Sequence, residues 1–198
     1  MTIHILSSII FGIIFGYFWP SEVLVQNING LIDFGLCLLL FFVGVDIGRN
    51  KNIIDDIKSY GIRIFLVPIA IVLGTLFGSI MSSFFLKLSI FESAAVGAGL
   101  GWYSLSAIEL SKHSAELGTI AFLANVSREV IALIMIPIIA NRIGHMETIA
   151  AAAATSMDVS LPIITRSTKG SISIVAFFSG VILSILVPIL VPLIISFN

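Results

Sequence analysis

The chain has 198 residues, 58% of them hydrophobic and only 11% charged, with a formal net charge of −1 and a mean hydropathy of +1.16. Soluble domains carry roughly 25% charged residues, so this is an integral membrane protein, with too much apolar sequence for a single anchor. The near-zero charge excludes a nucleic-acid or other polyanionic partner, and the lone cysteine, Cys37, excludes an internal disulfide and argues against a thiolate metal site.

Spans need about 20 mostly apolar residues. The first, residues 3–19, has no basic leader and no small-residue cleavage site before Pro20, so it reads as a retained span; Tyr17 and Trp19 at its end suit an interfacial anchor. The second, 28–47, carries Asp33 near one end and Asp46 near the other, just before Arg49 and Lys51, where a solvated helix end is the simpler reading. The third, 62–84, contains Gly74 and Gly78. Together with Gly12/Gly16 and Gly97/Gly101, these are small-residue pairs that let helices approach closely in lipid. Segment 93–108 is shorter and glycine-rich. Span 118–140 carries Asn125, Arg128 and Glu129, segment 149–165 is again short, and span 171–196 closes the chain. The expected architecture is an all-α polytopic membrane helix bundle forming one domain over 1–198. It has about five full spans plus two interrupted segments, 93–108 and 149–165, that either cross or re-enter.

Basic residues orient the bundle. If all seven segments cross, the side of the N-terminus holds Arg49, Lys51, Lys58, Arg63, Lys112, Arg166 and Lys169, against Lys87 and Arg142 on the other. That bias puts the N-terminus in the cytoplasm and the C-terminus outside. If both short segments re-enter, Lys112 and Arg142 exchange sides and the bias is unchanged; if only one does, it weakens.

The chemistry concentrates in the two short segments. In ATSMDVSLP (154–162), Asp158 lies among Thr155, Ser156 and Ser160 and four residues before Pro162. The proline ring would clash with the carbonyl of residue 158 and free backbone there. A carboxylate at membrane depth costs about 2.5–3.5 kcal/mol on insertion scales, so it points to a site for an ion or a charged substrate. The counterpart GAGLGWYSLS contains Gly97, Gly99 and Gly101, followed by Trp102, Tyr103, Ser104 and Ser106. Alternate glycines make a poor continuous helix but let backbone approach a ligand. Paired, interrupted hydrophobic segments are the sequence signature of a transporter binding site. Asn125, Arg128 and Glu129 share a helical face by their spacing, with Glu129 as a second acid; Arg128 and Glu129 either neutralise each other within the bundle or pair elsewhere. His4, His113 and His145 have no metal-ligand spacing, and no P-loop, HExxH or GxSxG motif occurs. No cofactor, metal or enzyme activity is expected.

With these residues in place, the chain resembles the lysine exporter family known as LysO. The matching stretches are LLLFFVGVDIGRN (38–50), GLGWYSLSAIEL (99–110), GTIAFLANVSREVIALIMIP (118–137), ATSMDVSLPIITR (154–166) and VILSILVPILVP (181–192). The resemblance implies export of L-lysine and its toxic analogues across the cytoplasmic membrane by a multi-pass secondary transporter, against inward proton movement. Asp158 falls on the family's membrane aspartate. Lysine brings two ammonium groups, which Asp158 and Glu129 would receive, and one carboxylate, expected on backbone N–H groups near Gly97–Gly101. Proton antiport follows if protonation of Asp158 and lysine occupancy exclude one another. The residues alone do not choose lysine over arginine, ornithine or another solute. Family members carry a further block of spans before the point matching residue 1, which is expected here from a homo-oligomer or a small membrane partner. A passive channel, or a subunit inactive without its partner, is the competing reading.

Overall fold

The structure is a computed structural model that describes residues 2–18, 34, 38, 41, 45, 61 and 63–198. Its elements are α1 (Thr2–Phe18), α2 (Arg63–Ser83), α3 (Ile90–Gly97), α4 (Tyr103–Ser111), α5 (Ala115–Arg142), α6 (Glu147–Ala152), a 3-10 turn (Ala153–Met157), α7 (Leu161–Ser167) and α8 (Gly170–Ile195). No strand occurs among the described residues. In lipid the backbone must satisfy its own polar groups, which leaves helices as the economical solution for so apolar a chain. By length and composition, the helices corresponding to α2, α5 and α8 can each cross a membrane. Of the expected span 28–47, Phe34, Leu38, Phe41 and Val45 are helical and exposed, and their spacing puts them on one face. Asp33, Cys37 and Asp46 lie outside the described residues.

Both short segments are broken helices. The first unit is α3, a bend at residues 98–102, and α4. Its start is fixed by a reciprocal cap in which Ser89 N–H donates to Glu92 at 2.7 Å and Glu92 N–H donates to Ser89 Oγ at 3.0 Å. Its two ends lie together: Ser89 hydrogen-bonds the side chain of Asn198, whose Nδ2 is also 3.3 Å from His113 Nε2. The unit is therefore a helical hairpin, leaving and returning at the end of α8. The second unit, α6, the 3-10 turn and α7, leaves from the end of α5 and returns to the start of α8. Ser173 Oγ donates to Thr165 Oγ1 at 2.9 Å, and deeper along α8 Ser156 Oγ donates to the Ala176 carbonyl at 2.8 Å. α5 begins beside His113 and α8 ends beside it, so the hairpins enter from opposite ends of the bundle.

Their tips meet. The Ala154 N–H donates to the Leu100 carbonyl at 3.0 Å. Leu100 (φ 48°) and Ala153 (φ 51°) both sit in the left-handed region, followed in the first tip by Gly101 at φ 99°. For non-glycine residues that conformation costs roughly 1–2 kcal/mol, offset here by burial: both residues are fully enclosed. The surrounding core mixes large aliphatic residues with small ones, among them Ala95, Ala98, Ala121, Ala152, Ala154 and Ala176. Small residues allow the close backbone approach that stabilises helix packing in lipid.

Candidate functional site

The two tips and α5 enclose a cavity of about 250 Å³. From the first tip come Gly101, Trp102, Tyr103 and Ser104; from the second, Ala154, Thr155, Met157, Asp158 and Val159; from α5, Glu129; and from α8, Ser184. Asp158 ends the 3-10 turn, and its Oδ1 accepts the Val159 N–H at 2.6 Å. Pro162 lies in the first turn of α7, where a proline's missing N–H leaves no bond unmade, so the break falls just before it. Glu129 projects from the middle of α5 into the same space, half-buried like Asp158. Among the described residues the only ion pair is the surface contact of Lys112 with Glu109, at 2.6 Å. Two carboxylates therefore share one cavity, and among the described residues neither is paired with a cation. Like charges in such a space favour a bound cation or a proton on one of them. Tyr103 and Trp102 add ring faces that attract cations, with Tyr103 braced edge-on against Phe122, centroids 5.5 Å apart.

The other residues singled out by sequence serve elsewhere. Asn125 is buried against the first tip: its Oδ1 accepts the Gly101 N–H at 2.8 Å, and its Nδ2 lies 2.9 Å from the Ala121 carbonyl, 3.1 Å from the Val96 carbonyl and 3.3 Å from Ser106 Oγ. Ser106 Oγ donates to the Trp102 carbonyl at 2.9 Å. A methyl group at Gly97 would fall on the Ser79 side chain, and one at Gly99 would come within 2.6 Å of Asn125 Nδ2, so both glycines are there for close packing. Ser156 ties the second tip to α8, and Thr155 Oγ1 lies 2.9 Å from Ser160 Oγ.

One expectation needs correcting. The N–H groups of Ala98, Gly99, Leu100, Gly101, Trp102 and Tyr103 are all donated within the protein, to Ala94, Val96, Gly97, Asn125, Gly99 and Gly101 respectively. The glycines close the bend on itself, and none of these donors is left for a carboxylate. Arg128 also stands apart from the cavity. Its Nη2 donates to the Ala150 carbonyl at 3.1 Å and its Nη1 to Thr75 Oγ1 at 3.4 Å, so it does not neutralise Glu129. Ser184 and Met157, 3.6 Å apart through Oγ and Sδ, line the cavity without having been singled out; a serine inside an otherwise apolar span was the available signal for the first.

Comparison with known proteins supplies the remaining findings. The family model described as "Lysine exporter LysO" matches residues 6–195. A candidate lysine exporter of Haemophilus influenzae is 31% identical over 195 residues, which are 98% of this chain and 98% of that protein. The lysine exporter LysO of Escherichia coli is 34% identical over 167 residues, covering 84% of this chain and 55% of that protein. No solved structure matches.

Proposed function

This chain belongs to the lysine exporter LysO family, and on that footing we propose that it is a secondary exporter of L-lysine and related cationic amino acids, driven by proton antiport at Asp158. The observation that carries this reading is the cavity at the meeting of the two hairpin tips, where Asp158 and Glu129 converge and neither is ion-paired among the described residues. An ammonium group of the substrate compensates both acids; when it leaves, a proton on Asp158 does so instead. Mutual exclusion of the two cations at one carboxylate is what couples their fluxes. In this reading the protein is a multi-pass protein of the cytoplasmic membrane, with five full spans and two re-entrant hairpins, N-terminus inside and C-terminus outside. Re-entry of both hairpins keeps the excess of basic residues on the cytoplasmic side.

The test is lysine flux in proteoliposomes under an imposed pH gradient, for the parent and for Asp158→Asn. Asparagine retains an oxygen to accept the Val159 N–H but does not titrate. The expected result is gradient-driven flux in the parent and a loss of at least about tenfold in the variant, the scale of one charge-assisted contact. Normal gradient-driven export by Asp158→Asn would refute the mechanism, and flux indifferent to the gradient would identify a channel. A second reading is a unit of a split transporter or of a homo-oligomer; the chain spans 55% of the length of the Escherichia coli relative. It predicts flux only when a membrane partner is co-reconstituted.

A further inference from the structure

Arg128 borders a groove of about 680 Å³ between α2, α5 and α6 that shares no lining residue with the Asp158 cavity. Along α2 the groove is floored by Ala70, Gly74, Gly78 and Ser82, at four-residue intervals; space is open above both glycines. Thr75 and Ser79 add hydroxyl groups. The carbonyl of Ala150, also on the groove, holds the Arg128 guanidinium, while the Glu147 carboxylate is folded over Gly144. Both hydrogen-bond partners of Arg128 are neutral, and among the described residues it forms no ion pair. It sits midway along the 28-residue α5, about 20 Å from either end at 1.5 Å per residue. Lipid phosphates lie beyond a hydrocarbon half-thickness of about 15 Å, so the anion that compensates this charge is not a headgroup.

We propose that this groove recognises the α-carboxylate of the exported solute, with Arg128 as its partner. The proposal rests on the reading of the chain as an amino-acid exporter and supplies what that reading lacks. Among the described residues the fixed charges of the Asp158 cavity are both acids, which repel a carboxylate, and the backbone donors of the first tip are already used. A guanidinium fork at membrane depth matches a carboxylate in shape and charge. With no shared lining, the groove and the Asp158 cavity are successive stations on the path.

The experiment compares binding of L-lysine and L-lysinamide, which keeps both amines but has no carboxylate, to the detergent-solubilised protein. The parent is expected to prefer lysine by about 10- to 100-fold, the range of a charge-assisted pair. Arg128→Gln should raise the Kd for lysine by the same factor and leave that for lysinamide within about twofold; Arg128→Lys should recover part of the loss. Equal affinity of the parent for the two ligands, a parallel loss of both in Arg128→Gln, or unchanged lysine binding in that variant would each overturn the assignment. Gradient-driven lysine flux in the parent alongside any of these results leaves the export reading standing. Neither flux nor binding of lysine by the parent would remove both.

Discussion

Asn125 accepts the Gly101 N–H and offers its amide to the Val96 and Ala121 carbonyls, so one side chain closes the bend of the first hairpin. Replacing it with alanine leaves the buried Gly101 N–H without its acceptor, at about 1–3 kcal/mol for an unsatisfied group. Asn125→Ala is expected to unfold in detergent at a clearly lower temperature than the parent; an unchanged midpoint would mean that the bend holds without it. Asp158 and Glu129 stood out in the sequence as candidates because an acid in an apolar run has few structural uses. Asn125 was not separable from them on sequence, since a polar residue at membrane depth serves a ligand and a neighbouring backbone equally well. The donors of Gly99 and Gly101 were misread for the same reason: three glycines signal close approach, but not whether the approaching group is a ligand or the protein itself.

At the scale of elements, the two interrupted segments were expected from their length and from Gly and Pro, and both are broken helices. The position of each break was less accessible. It falls at Leu100 and Ala153, residues whose type gives no warning of positive φ, and Pro162 opens the following helix instead of interrupting one. The second tip is held by α8: a methyl group at Gly180 would lie 2.5 Å from the Met157 nitrogen and 2.9 Å from the Ala154 carbonyl. Both are backbone atoms and cannot rotate away. Gly180→Ala should therefore destabilise the protein by about 1–3 kcal/mol, as overpacking does, and perturb the Asp158 cavity. Gly12→Ala, with nothing within 4 Å, should be neutral or slightly stabilising in the same thermal-unfolding assay. Equal behaviour of the two variants would contradict the packing described for α8.

For the whole molecule, the hairpin reading places the loops at Lys87 and His113 on one side of the membrane and those at Arg142 and Lys169 on the other. With Cys37 replaced, single cysteines at 87 and 113 should react with an impermeant maleimide from outside, and those at 142 and 169 only after permeabilisation. Labelling of 87 and 113 from opposite sides would show that residues 90–111 cross. The sequence by itself determined the solvent of this protein, its helical class, the pairing of two broken segments and the acids worth attention, because apolar run length, glycine, proline and buried charge act locally. Charge counting left crossing and re-entry balanced, since Lys112 and Arg142 merely trade sides. Only the tertiary structure decided that the tips bond to each other, and that Glu129 joins Asp158 while Arg128 faces another groove. Those outcomes depend on which distant segments meet, and adjacent positions on a helix, about 100° apart around its axis, are sent to different neighbours.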